Sequence, residues 1–292
     1  VTIIDCPPTK EAATFKDYTK LLGGAYFDIG TECSNIFELP NLSHLEEVDR
    51  IDRKKSFEDA LLDVLQLLVV GSNPDAFEPM LRDLIRSLLT LILTKFFEAR
   101  EIQSRYQVAI EGGLESQAWQ KYPVLKDFIG FCSPERVNIT EVDQLKALSY
   151  IVTKLRSWTQ SRIGNAFCHP STFKLDAQLF TMAVRDVGNA EDMAVIATVA
   201  YTTALRRAYG HKASVFFMDE VSTLVKFKTL SLMLGKTTAI GAKAGIRVIL
   251  AGQEVHSIET SAGGKQILAN CDIKLVGRIQ PESLDSISEV LK

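Results

Sequence analysis

Apolar residues are distributed along this chain in two ways. Some fall in short continuous runs: Val1–Ile4, Ala25–Ile29, Leu179–Val184, Val215–Met218, Ile246–Ala251 and Ile273–Val276. Runs of that length bounded by Gly, Pro or charged residues read as strands buried on both faces, the pattern of a parallel sheet. The first run breaks sharply at Asp5-Cys6-Pro7-Pro8, because neither proline can extend a strand.

The other pattern has helical spacing and dominates the middle of the chain. Ser56-Phe57-Glu58-Asp59 has the form of an N-cap with acids in the first turn, ahead of Leu61, Leu62, Leu65, Leu68 and Val69. Met80, Leu81, Leu84, Ile85, Leu88, Leu89 and Ile92 form a second apolar stripe, with Arg82, Asp83 and Arg86 opposite. Pro123 opens a further helix through Phe128 and Ile129. Val142–Trp158 supplies another, and no strand-like run separates these helices.

After about Phe173 strand and helix alternate. A long helix passes through Ala194, Ala197, Ala200 and Leu205, another covers roughly Leu224–Ala242, and a short one lies near Gly264–Leu268. The expected fold is α/β with a mainly parallel sheet. Residues 1–42 and 161–292 form its core, and residues 43–160 form an inserted all-α subdomain.

Composition narrows the function classes. Hydrophobic residues make up 46% and charged residues 24%, which excludes a disordered or collagenous chain. The formal net charge of −3 provides no global basic field for nucleic acid. Five cysteines without a C-x-x-C pair read as free thiols of a reducing compartment. The four histidines stand apart, so a zinc site is not expected. The start lacks the charged and apolar regions of a secretory signal, and opens as though in mid-strand, as a piece of a longer protein would. The apolar stretch Ser87–Thr94 is too short to span a bilayer.

The candidate chemistry lies at strand ends. In an open parallel sheet, ligands bind at the carboxyl ends of the strands. Asp219 and Glu220 follow the run Val215–Met218. One carboxylate there can hold a hydrated magnesium ion bridging the β- and γ-phosphates of a nucleotide, and a second can orient the attacking water. An Asp-Glu pair can equally cap a helix and satisfy its dipole. The next strand ends in Gln253. Adjacent strands lie about 4.8 Å apart, so Gln253 comes out beside Glu220 if the two strands are neighbours, and can sense a γ-phosphate without adding charge.

In order, the chain presents a strand with Asp219-Glu220, a helix, Gly241-Ala242-Lys243-Ala244-Gly245, and a strand ending in Gln253. This resembles the VirB4 family of conjugation and type IV secretion ATPases, within the HerA- and FtsK-like motors. Leu22-Gly23-Gly24 after the first strand, the helical insertion, Ser161–Asn165, Pro170–Phe173 and Gly263–Cys271 extend the likeness over most of the chain. The resemblance implies a RecA-like ATPase core that uses ATP and Mg2+. Asp219 would hold the metal through water, Glu220 would activate the attacking water, and Gln253 would couple phosphate state to movement. It also implies a homo-oligomer, as in hexameric motors, with secretion or conjugation apparatus subunits as partners and DNA as a further candidate. Its expected place is the cytoplasm, in peripheral contact with the inner face of the inner membrane.

Two departures stand against the family pattern. There is no G-x-x-x-x-G-K-[ST] phosphate loop. Leu234-Gly235-Lys236-Thr237-Thr238 imitates its end, but Leu230 stands where the first glycine belongs and no strand leads in. The true loop is expected upstream of Val1. Ala242 also occupies the position where relatives carry an arginine that acts on a neighbouring subunit's nucleotide. Lys243, Arg247 or Arg278 could replace it; lysine is a poor match for bidentate phosphate recognition, so the assignment stays open, with Arg278, just after the last strand, preferred and a solvated strand-end charge as its alternative. Asp5 either lines the nucleotide crevice or makes the turn with Pro7 and Pro8. Two other readings stay open: a HerA- or FtsK-like DNA translocase, and a non-catalytic scaffold of the same fold that has lost nucleotide.

Overall fold

A computed structural model of the chain describes residues 1–6, 15–28, 31–173, 175–184, 189–277 and 288. It begins with strand β1 (Thr2–Asp5), helix α1 (Lys16–Leu21) and strand β2 (Ala25–Asp28). The helical run that follows holds α2 (Glu47–Val70), α3 (Pro79–Glu98), α4 (Arg100–Gly112), α5 (Leu125–Phe131), α6 (Pro134–Val137) and α7 (Val142–Thr159). The chain then alternates through β3 (Phe180–Ala183), α8 (Ala190–Tyr209), β4 (Ser214–Met218), α9 (Val221–Leu224), α10 (Lys228–Ile240), β5 (Ile246–Leu250), α11 (Val255–Glu259) and α12 (Gly264–Ala269). Among the described residues no helix is long and apolar enough to cross a membrane.

The five strands form one parallel sheet in the order β2-β3-β1-β4-β5. Strand alternation sorts side chains between its two faces. Phe216 of β4 is fully buried and meets the Tyr201 ring of α8, centroids 5.5 Å apart. Its neighbour Phe217 points the other way, with its ring 5.7 Å from that of Phe15. Fully burying an aromatic such as Phe216 stabilises by about 1.5–3 kcal/mol.

Helix α8 is buried over nearly its whole length because it packs between layers: against β1 and β4 on one side, and against α2 and α10 on the other. Its small residues Ala197, Ala200 and Ala204 permit this close approach. Asn189 caps its start by accepting from Asp192 N at 2.8 Å. Two cations of α8 are buried with their partners. Arg206 donates to Asn35 O at 2.7 Å and pairs with Glu38 at 3.3 Å. Arg207 donates to Leu175 O at 3.1 Å and to Thr2 Oγ1 at 2.5 Å.

Several local expectations are corrected. Ser56 does not cap a helix. It lies within α2, where its hydroxyl donates back to Asp52 O at 2.9 Å. Pro123 precedes α5 rather than opening it; the Asp127 carboxylate closes that terminus by accepting from Val124 N at 2.9 Å. Helix α1, which had not been expected, is tied to β3 by a buried 2.6 Å hydrogen bond between Thr19 and Thr181. The helix expected over roughly Leu224–Ala242 is α10, and the short α9 before it had not been expected. Val255–Glu259 adds a helix that had not been expected.

The last expected strand, Ile273–Val276, forms no ladder; Ile273 and Leu275 lie 81% and 93% exposed. Strand β5 is therefore outermost on its side of the sheet, with Ile249 exposed.

Candidate functional site

The parallel ladder brings the carboxyl ends of β1, β4 and β5 together. Ile4 pairs with Met218, and Asp219 N donates to Ile4 O at 3.0 Å, so Asp5 and Asp219 end neighbouring strands. Met218 pairs with Leu250, and Ala251 N donates to Met218 O at 2.9 Å. Val221 N then donates to Ala251 O at 2.9 Å, fixing the chain after β5 beside the start of α9. Gln253 emerges next to Glu220, and its Nε2 donates to Glu220 Oε1 at 2.5 Å.

Two backbone features set this contact. Glu220 has φ 51° and ψ 40°, the left-handed region, which costs a non-glycine residue about 1–2 kcal/mol. That conformation turns the chain sharply between β4 and α9. Gly252 lets the β5 exit lie against α9: a Cβ there would stand 2.7 Å from Ser222 Oγ and 3.1 Å from Val221 Cγ1. Ser222 clamps the same exit, donating to Glu254 O at 3.2 Å and accepting from Glu254 N at 3.3 Å.

Asp5 is fully buried, and its Oδ2 accepts from Phe15 N at 3.4 Å. Asp219 and Glu220 are half-buried, and Gln253 is exposed. Cys6 is a further member of the cluster that the residue pattern did not single out. Burial pushes its thiol far up, and the charges of Asp5, Asp219 and Glu220 push it further. Three carboxylates thus face one buried thiol that stays protonated. Its position directly after the β1 strand end was the available signal.

Among the described residues no group of His, Cys, Asp and Glu forms a metal cage. Half-buried hard oxygens such as those of Asp219 fit magnesium, which keeps several waters and is held through one or two carboxylates and its substrate's phosphates.

Arg278 and the turn residues Pro7 and Pro8 are outside the described residues. Ala242 and Lys243 occupy the turn before β5, at the opposite end of the sheet from Glu220. Gly245 closes that turn at φ 71°, where a Cβ would stand 2.2 Å from Lys212 O. Leu234–Thr238 lies inside α10, where Lys236 pairs with Asp63 at 3.0 Å and Thr237 accepts from Tyr201 at 2.5 Å. That segment is a helix interior and not a phosphate loop.

Comparison with solved structures aligns 99% of this chain with 72% of VirB4 of Thermoanaerobacter pseudethanolicus, at TM-score 0.63 and 15% identity. The chain has the fold of VirB4. Residues 214–291 also match the TraG-D_C family model, described as the TraM recognition site of TraD and TraG. The matched segment begins at β4 and includes Asp219, Glu220 and Gln253. The resemblance to VirB4 carried by the order of motifs thus holds for the fold, a RecA-like parallel sheet with helices. Weaker alignments cover 92% of the chain and 67% of the bacterial conjugative coupling protein TrwB (TM-score 0.42, 16% identity). A structure of plasmid coupling protein TrwB with ADP and Mg2+ aligns over the same shares at TM-score 0.43 and 14% identity. A comparison with curated proteins finds no match.

Proposed function

We propose that this chain belongs to an ATP-hydrolysing motor subunit that drives macromolecule transfer through a conjugation or type IV secretion apparatus. The observation that carries the reading is the hydrogen bond from Gln253 to Glu220 at the carboxyl ends of adjacent parallel strands. A carboxylate held by an uncharged amide keeps its charge and gains a fixed orientation, which suits it to polarise an attacking water. The VirB4 fold and the segment matching the TraG and TraD model support the same reading.

In this reading Glu220 accepts the proton of the attacking water. Gln253 orients the Glu220 carboxylate and couples phosphate state to movement. Asp219 would hold magnesium through water, and the bound ion would supply positive charge against the nucleotide's phosphates. Asp5 lines the crevice from β1. Arg278 is assigned to the neighbouring subunit's nucleotide in a homo-oligomer, with work at the inner face of the inner membrane. Residues 1–42 and 161–292 act as the motor core and residues 43–160 as its helical insertion. The segment 214–291 supports docking of an apparatus protein, since the model it matches is named for recognition of TraM.

The test is ATP turnover and nucleotide binding by the full-length protein carrying Glu220→Gln. Retained binding with turnover lost supports the assignment, whereas undiminished turnover sinks it.

A further inference from the structure

A cavity of about 420 Å³, apart from the carboxylate cluster, opens where three helices meet. Its floor is apolar, with Leu67 and Val70 from α2 and Leu232 from α10. Around it stand four cationic side chains, Arg82 and Arg86 of α3 and Lys228 and Lys236 of α10, against the carboxylates Asp63 and Asp83. That volume lies within the range of ligand-binding clefts, roughly 300–1,000 Å³.

The cations divide into two sets. Arg86 and Lys236 are committed to Asp63, at 2.9 and 3.0 Å, and that carboxylate is only 12% exposed. Lys228 and Arg82 instead share Asp75, at 2.6 and 3.6 Å. Asp75 is exposed and sits on the short turn Pro74–Ala76 between α2 and α3. The hydrogen bond and charge of Lys228 hold its carboxyl below the usual carboxylate range. Two cations from different helices thus form a grip already fitted to a carboxylate. Exposed ion pairs contribute little to stability, so an incoming carboxylate displaces Asp75 readily. Leu232, 41% exposed, lies on α10 one turn beyond Lys228.

We propose that this cavity docks an acidic segment of a protein partner, its carboxylate replacing Asp75 between Lys228 and Arg82 and an adjacent apolar side chain covering Leu232. The inference rests on the partner-docking part of the proposed function, because the α10 wall lies within residues 214–291. A protein segment suits the site better than a phosphate backbone. The apolar lining of Leu67, Val70 and Leu232 beside the two cations calls for an apolar group next to the carboxylate, which a phosphate backbone does not supply.

Fluorescence anisotropy on the full protein tests this with three probes: a short peptide of alternating glutamate and leucine, its lysine–leucine counterpart, and an oligothymidylate. The glutamate peptide is expected to bind, more weakly as salt rises. Its Kd should rise at least about tenfold in Arg82→Ala/Lys228→Ala and fall several-fold in Asp75→Asn, where the internal competitor is neutralised. Glutamate-peptide binding that ignores both variants overturns the proposal, as does oligothymidylate binding that alone depends on Arg82 and Lys228. ATP turnover in the same variants separates the two readings. Turnover that persists when peptide binding is lost assigns the loss to the dock. Peptide binding in a protein without turnover removes the motor assignment and leaves the dock standing.

Discussion

Gln253 Nε2 lies 2.5 Å from Glu220 Oε1, joining the exits of two adjacent parallel strands side chain to side chain. The donor is exposed and the acceptor half-buried, so either can be altered with little effect on the core. Gln253→Ala is expected to lower kcat by about ten- to a hundredfold while nucleotide affinity changes little, because the carboxylate keeps its charge and loses its orientation. Steady-state ATPase kinetics on the full-length protein would show this as a fall in kcat without a matching rise in KM.

Gln253→Glu makes a sharper comparison. It places a second carboxylate at hydrogen-bond distance from Glu220, and like charges so close raise one pKa strongly. The acid limb of the rate profile should therefore shift to higher pH than in the parent protein. An unshifted pH–kcat curve would separate the two side chains in function.

Glu220→Gln is the direct test of the proton acceptor. Loss of a general base typically costs about 10²–10⁴ in rate. Because Gln keeps the side chain's shape, ADP or ATP-analogue binding measured by calorimetry is expected to stay within a few-fold of the parent.

At Gly252, Gly→Ala sets a methyl 2.7 Å from Ser222 Oγ. Overpacking of this kind destabilises by about 1–3 kcal/mol. It also moves Gln253 off Glu220, so urea unfolding should report a modest loss of stability and kinetics a larger loss of activity. Gly245→Ala, at the far end of β5, combines a left-handed φ with a 2.2 Å clash and should lower stability more.

Stability is also expected to fall in alkali. Burial pushes the thiol of Cys33 up to about 11 and those of Cys132 and Cys168 up to about 12. An unfolded thiol ionises near 9, so above that pH the unfolded chain binds fewer protons than the native one, and each such thiol lowers stability as pH rises toward its folded value. Thermal melts between about pH 8 and pH 11 would show a falling Tm. In the native state at pH 8, iodoacetamide should label Cys271 first, since it alone of the five cysteines is only half-buried.

Where tertiary context was not needed, the sequence was a sufficient guide. The runs ending at Asp5 and Met218 are strands because their apolar side chains fill a covered sheet, the run ending at Leu250 pairs beside them as the outer strand with Arg247 and Ile249 exposed, and the order of these strands puts Gln253 beside Glu220. Other features depend on contacts far along the chain. The left-handed turn at Glu220 is imposed by ladder bonds on either side of it, from Ile4 and Ala251, and a Met-Asp-Glu-Val string does not encode it. Cys6 joins the carboxylates only once β1 lies against β4. Ile273–Val276 alternates like a strand but is unpaired, which shows that local pattern without a partner ladder decides nothing. Helix α1 was hidden because it buries little beyond Thr19, whose partner Thr181 lies far along the chain.

The strand order also has a consequence for how the protein is made. Strand β1 sits inside the sheet, between β3 and β4, and Thr2 pairs with Phe180 on one side and Phe216 on the other. During synthesis β1 leaves the ribosome long before either neighbour exists, at a rate of only about 5–20 residues per second. The helices α2 to α7 must emerge before β3 can reach it. Its apolar Ile3 and Ile4 therefore wait unpaired until β3 and β4 emerge, and a parallel sheet closed by such distant pairings folds late. The strand that supports the carboxylate cluster is synthesised well before the two strands that flank it, so cells that express this protein should depend on chaperones to shield it in the interval.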